Sequence, residues 1–257
     1  MDRRALVGGN WKMHLDAVAA TALGRDIAAV AELVAARIDL AIFPPYPYLE
    51  AVAEVTQGRI AIGGQDVAAE AEGAFTGQVS ASMLRDCGCT TTLVGHSERR
   101  HGLGETDQLL AKKVRQALDG KLRVLLCVGE TLEDREAGRT REVVLGQLEG
   151  SLEGISTEDM AMVDLAYEPL WAIGTGQTAG PAEAQEVHRV LRSAIGVRYD
   201  ARSAARIRIV YGGSVKPSNV ADLMACEDVD GALVGGASLQ AGSFIEIARA
   251  TAGLEQS

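Results

Sequence analysis

No run of eighteen apolar residues occurs in the chain, which excludes a membrane-spanning helix of ordinary length. The opening MDRRALVGGNWK carries two arginines but neither the apolar stretch nor the small-residue cleavage site of a secretion signal. It reads as a short lead into a first strand, and a cytoplasmic location is expected. Cysteine is scarce. Cys87 and Cys89 stand too close together for the usual zinc spacing of about two to four intervening residues, and no matching Cys or His pair follows. With Cys127 and Cys226 they are expected as free thiols in a reducing compartment, with no metal and no cofactor. Basic charge is also in deficit. A net charge of −10 argues against a nucleic-acid backbone as partner. If the ligand is instead a small anion, its site must create local positive potential with a lysine and oriented backbone amides. No Ser/Gly-rich linker divides the chain, and no GxGxxG follows the first strand, which disfavours an open dinucleotide-binding sheet.

What is present is a repeat of short apolar runs, each followed by a longer helix-forming stretch. The runs are 5–9, 38–43, 60–64, 90–94, 122–128, 161–167, 206–211 and 230–234. The intervals 16–36, 106–119 and 181–197 are rich in Ala, Leu, Glu and Arg and carry a helical period. Pro181 and Pro217 are read as helix starts, where the missing N–H costs nothing. Eight strands alternating with helices imply a parallel sheet closed into a barrel, and 257 residues match the ~250 typical of one. The expected fold is therefore α/β, a single (β/α)8 domain spanning 1–257, with its active site at the C-terminal ends of the strands.

Those ends carry Asn10 and Lys12, His96, Glu168, Ser214, and Gly235 with Gly236. Glu168 follows an apolar strand and precedes Pro169, which biases it away from helix. Gly212-Gly213-Ser214 and Gly235-Gly236 end successive strands, where barrels of this kind often bind phosphate through backbone N–H groups. Residues 169–179 put Trp171, Ala172 and Ile173 in a loop that should be polar, as a lid closing over ligand would require.

Several segments carry a resemblance: GNWKMH (9–14), AFTGQVS (74–80), GHSERR (95–100), GETD (104–107), CVGE (127–130), AYEPLWAIGTG (166–176), YGGSVKP (211–217) and GALVGGASL (231–239). In this order and at this spacing, over roughly residues 5 to 248, they resemble the signature segments of triosephosphate isomerases, which have the TIM-barrel fold. The resemblance implies that dihydroxyacetone phosphate and D-glyceraldehyde 3-phosphate are interconverted by proton transfer through an enediol(ate), as in glycolysis and gluconeogenesis. It implies Glu168 as the base, partly desolvated so that its pKa rises. It implies His96 as a neutral hydrogen-bond donor at a helix start, this family being the usual example of a neutral histidine electrophile. Lys12 would lie against both the phosphate and the oxyanion and Asn10 would donate near the carbonyl, Glu98 would position the lysine or, as the alternative, relay a proton, and the Gly174 amide would reach the phosphate with Ser214, Gly235 and Gly236. It further implies a homodimer, in which Phe75 and Thr76 insert beside the partner's site, with Gln78 and Arg99 at the contact. Gln78 stands where glutamate is common, Asp66 where asparagine is frequent and Leu103 where an aromatic is usual. These departures touch the dimer, with Asp66 adding negative charge there and Glu105 left to hold Arg99. The competing expectations are another phosphate-binding barrel enzyme, of the sugar-phosphate epimerase type, and a non-catalytic binding barrel. The first should show metal-ligand histidines and aspartates at strand ends; the second should lack at least one of Lys12, His96 and Glu168.

Overall fold

Strand β1 (Ala5–Asn10) pairs in parallel with β2 (Ile38–Phe43) on one side and with β8 (Gly231–Val234) on the other, so the sheet has no edge. Between them run β3 (Ala61–Gly64), β4 (Thr91–Val94), β5 (Arg123–Val128), β6 (Val163–Tyr167) and β7 (Ile209–Tyr211), in sequence order around a closed barrel. This computed structural model describes residues 3–172 and 179–254. Closure lets every central strand pair on both sides, and the intervening helices cover the outer face.

Alternation along the strands builds two cores. In β5, Leu125 and Cys127 point into the barrel, while Val124, Leu126 and Val128 pack against the helices. The same alternation decides what reaches the mouth. In β6, Ala166 lies inside and Leu165 and Tyr167 outside, so the next residue, Glu168, faces inward. In β1, a side chain at Gly8 would meet Leu233 and Phe43 inside the barrel, whereas one at Gly9 would meet Phe244 in the helix layer, so Asn10 turns inward. By the same parity Gly212 follows Val210, and Gly235 follows Leu233, on the inner face.

The expected helices form with small shifts. Asp16 caps Ala17–Val34, its side chain accepting from the Ala19 amide at 2.8 Å, and Thr106 caps Asp107–Asp119. Pro181 opens Pro181–Arg198, where Glu183 accepts from the Gly180 amide at 2.6 Å. Three expectations are corrected. The sixth strand starts at Val163, because Asp159–Met162 form a 3-10 turn that Ser156 and Asp159 lock by mutual hydrogen bonds. The seventh starts at Ile209, because Asp200 caps an unexpected helix, Ala201–Arg206. Pro217 sits in a turn that Asn219 closes onto the Lys216 amide at 2.8 Å, and the helix begins at Val220. All four cysteines are free thiols, with Cys89 and Cys127 buried.

Candidate active site

A cavity of about 390 Å3 opens at the C-terminal mouth, and its wall includes Asn10, Lys12, His96, Glu168, Ser214, Gly235 and Gly236. Seven of the sequence-selected residues, drawn from five separate strand ends, therefore meet in one concavity. Glu98 stands at its rim, half-exposed and bound to Lys12. Gly174 lies outside the described residues, as do its neighbours 173–178, so the centre of the expected lid does too.

His96 caps the helix Ser97–Gly102, and its Nδ1 accepts from the Glu98 amide at 3.2 Å. That bond leaves Nε2 as the ring's one donor, 3.0 Å from Oε1 of Glu168. The other Glu168 oxygen accepts from the Ser97 amide at 2.8 Å. Complete burial would raise the Glu168 pKa, as expected from sequence, but His96, the Ser97 amide and Lys12 outweigh it and hold the carboxyl below its ordinary range. The expectation of a raised value is corrected for this arrangement. Burial likewise opposes charge on His96, yet Glu168 pulls its proton affinity upward. A second proton on Nδ1 would face the Glu98 N–H, which opposes it, while the Glu98 carboxylate 3.7 Å from Nδ1 favours it, and with Glu168 in place the balance raises the ring's pKa. Once Glu168 turns away from Nε2, burial and Lys12 work toward neutrality, with Glu98 left as the opposing charge.

Lys12 has φ 50, in the left-handed region that costs a non-glycine residue roughly 1–2 kcal/mol. Its backbone is gripped at both ends: its N–H donates to Asn10 Oδ1 at 2.9 Å, and its carbonyl accepts from Gln65 Nε2 at 2.8 Å. Gln65 also donates to the Phe43 carbonyl at 2.9 Å, tying Lys12 to the end of β2. The Lys12 ammonium meets Glu98 Oε1 at 2.6 Å. Trp11, between Asn10 and Lys12, is wholly buried and belongs to the core.

The glycines divide by cause. At Gly213 an added Cβ would lie 2.2 Å from the Tyr211 hydroxyl, and at Gly212 it would lie 2.9 Å from Glu168 Cγ, so packing alone demands both. At Gly236 nothing lies within 4 Å, and at Gly235 the nearest atom is Lys12 Cε at 3.6 Å. Space beside those two is free toward the cavity. Asn219 ties down the neighbouring loop by donating to the Ser214 carbonyl at 3.0 Å.

Three contributors carried no assigned role in the sequence reading. Gly129, the residue after β5, lies so close to the end of β6 that a Cβ would lie 1.8 Å from the Glu168 carbonyl oxygen. Glu130, fully buried, accepts from the Tyr167 hydroxyl and from Trp171 Nε1, each at 3.0 Å. Arg135 stacks over the Trp171 ring at 4.5 Å. Trp171 and Ala172, expected as lid residues, are thus packed against the body in a 3-10 turn, Leu170–Ala172.

This geometry agrees with what the chain is similar to. A profile of the family described as Triosephosphate isomerase matches residues 5–251. The chain belongs to the triosephosphate isomerase family. Relatives named triosephosphate isomerase include that of Cupriavidus taiwanensis, 51% identical over 96% of this chain and 100% of its own length. That of Cutibacterium acnes is 46% identical over 96% of this chain and 98% of its own. That of Thermoanaerobacter pseudethanolicus is 46% identical over 95% and 98%. The closed eight-stranded barrel is the fold that membership in this family leads one to expect.

Around the site, Phe75, Thr76 and Gln78 stand on an exposed loop, and Met13 and Leu103 are also exposed, at 94% and 66%. Arg99 binds Glu105 within its own subunit through Nε at 2.9 Å and Nη2 at 2.6 Å, as the sequence reading allowed. Asp66 requires correction. It is buried, with Lys113 at 2.7 Å and Arg99 at 2.8 Å, so it joins an internal charge cluster and adds no free negative charge to a surface. Among the described residues no helix is long and apolar enough to cross a membrane, and no cluster of three metal-ligating side chains occurs.

Proposed function

We propose that this chain, an aldose–ketose isomerase by family, interconverts dihydroxyacetone phosphate and D-glyceraldehyde 3-phosphate without a cofactor. The observation that carries the reading is the convergence of the Glu168 carboxylate, the His96 imidazole donor and the Lys12 ammonium on a single cavity beside open glycines. The substrate phosphate is held at Ser214 and at Gly235-Gly236, with Gly174 as a further donor, and its carbonyl end turns toward Lys12, Asn10 and His96. Glu168 leaves the Ser97 amide and His96 to reach the substrate carbon. Loss of those bonds, with burial retained, raises its basicity toward that of a working general base. It removes a proton from one carbon and returns it to the next, while the hydroxyl proton passes from one oxygen to the other through Nε2 of His96. Negative charge then grows on the oxygens, where Lys12 and the Nε2–H of His96 lie; preorganised donors of this kind are typically worth about a hundred- to a thousandfold each. Glu98 positions Lys12 through their ion pair.

Two further parts belong to the same proposal. The exposed loop with Phe75, Thr76 and Gln78, together with the exposed Met13 and Leu103, supports a homodimer. Four free thiols support a cytoplasmic location. A coupled assay supplying glyceraldehyde 3-phosphate tests the activity directly. Turnover that persists in chelator is expected. Absence of turnover, or its abolition by chelator with recovery on adding a divalent metal, refutes the reading.

A further inference from the structure

At the opposite mouth, where the strands begin, lies a second cavity of about 490 Å3, within the size range of ligand sites. Its floor is apolar, formed by Leu6, Ala41, Phe43 and Leu125 of the barrel interior. Its wall is basic. Arg4, Arg123 and Arg208 meet two carboxylates there: Asp39 bridges Arg4 at 2.5 Å and Arg208 at 2.7 Å, and Asp164 bridges Arg208 at 2.6 Å and Arg123 at 3.2 Å. Three guanidinium groups on two carboxylates leave positive charge over. Arg59, Arg85 and Lys121 line the same cavity and have no carboxylate partner among the described residues; Arg59 donates to Gln57 at 3.3 Å and Arg85 to the Cys89 carbonyl at 3.2 Å.

A smaller cavity alongside shares Arg4, Arg123 and Arg208 and adds Arg3 and Arg206, of which Arg3 is paired with Asp230. In a chain of net charge −10, this pole reverses the sign of the whole. Repulsion among clustered cations works against the fold, and a bound anion relieves it. Guanidinium forks match phosphate and carboxylate oxygens in pairs, and half-exposed Asp39 already occupies a bridging seat that such an anion could take.

We propose that the strand-start pole is a second binding site, for an organic anion carrying two or more phosphate or carboxylate charges on an apolar or planar body of nucleotide size. The arginines take the charged groups, and Leu6, Phe43 and Leu125 take the body. The site shares no lining residue with the catalytic cavity, so its occupancy does not require the isomerase site to be empty.

Calorimetric titrations with a nucleoside triphosphate, inorganic pyrophosphate and citrate test this. Three proteins are compared: the unsubstituted chain, Lys12→Met to remove a cation from the catalytic cavity, and the double variant Arg59→Ser with Arg85→Ser. Neither serine substitution breaks an ion pair, so folding is preserved. The triphosphate should bind the Lys12→Met protein as it binds the unsubstituted one, at least tenfold more weakly to the double variant, and more weakly as salt rises. Citrate against pyrophosphate distinguishes carboxylate from phosphate as the preferred charged group. Pyrophosphate binding as tightly as the triphosphate overturns the role of the apolar floor. No binding at millimolar concentration, or binding that Lys12→Met abolishes and the double variant leaves intact, overturns the site.

Discussion

Gly129→Ala is the sharpest test of how the fold places the candidate base. A Cβ at this position would lie 1.8 Å from the Glu168 carbonyl oxygen and 2.6 Å from its carbonyl carbon. Ordinary contact begins near 3.4 Å, so the ends of β5 and β6 must separate by about 1.6 Å, and backbone cannot rotate aside as a side chain can. Two bonds resist: the Glu168 amide to the Val128 carbonyl at 2.8 Å, and the Gly212 amide to the Tyr167 carbonyl at 2.7 Å. Displacing a reacting group by about 1 Å costs on the order of a hundredfold, so kcat/KM should fall at least that far. Overpacking of this severity should also cost about 3 kcal/mol, or roughly 6–12 °C in Tm for a chain of this length. Gly146→Ala is the control. It lies in the helix Thr140–Ser151 with nothing within 4 Å of an added Cβ, and should gain about 0.5–1 kcal/mol with activity unchanged. Isomerase assays and thermal melts on both variants decide the matter. A Gly129→Ala protein with near-normal kcat/KM and an unchanged midpoint would refute the claim that backbone contact sets the position of Glu168.

Lys12→Met should lose most of the activity, at least a hundredfold, while the melting midpoint stays within about 2 °C, because the ammonium pairs with the exposed Glu98; near-normal turnover would remove Lys12 from the mechanism. In Glu168→Gln, the larger upward pull on His96 disappears while burial, Lys12 and the weaker pull of Glu98 remain, so an NMR titration should find the ring's pKa lower than in the unsubstituted protein; an unchanged or higher value contradicts the cause assigned here. His188 supplies a stability prediction. Burial holds its pKa down to about 4 against an ordinary 6.5, so the folded chain stays neutral where the unfolded chain takes up a proton. Its contribution is complete above pH 6.5 and is lost as pH falls from 6.5 toward 4, a span worth on the order of 3 kcal/mol. Denaturant melts should show that loss, and His188→Asn should flatten it; an imidazolium signal from His188 at pH 6 in the folded protein would refute the sign.

Much of the site was legible because it lies at strand ends. Where an apolar run stops, the next inward position is the mouth, and Asn10, Glu168 and Gly235 fall there by counting twos. His96 was legible as a helix start, since Ser97-Glu98-Arg99 follow a strand directly. The partners were not. Gln65 reaches back to Lys12 across fifty-three positions, and Lys113 reaches Asp66 across forty-seven, separations that no local pattern encodes. The Asp66 reading failed for that reason: judged from its neighbours it was an added charge, and only packing puts Lys113 against it.

Strand order, the period-two inner face, the capped helices and the polar residues where each strand ends follow from the chain alone, because each depends on residues within a turn or a strand of one another. Burial that would raise the Glu168 pKa, and the neighbours that lower it, arise only when β4, β5 and β6 stand side by side. The same holds for the basic cavity at the strand starts, whose arginines come from four strand entrances and, at Arg85, from the helix Ala81–Asp86. Charge and proton affinity depend on distances through space, and closing the barrel is what sets those distances.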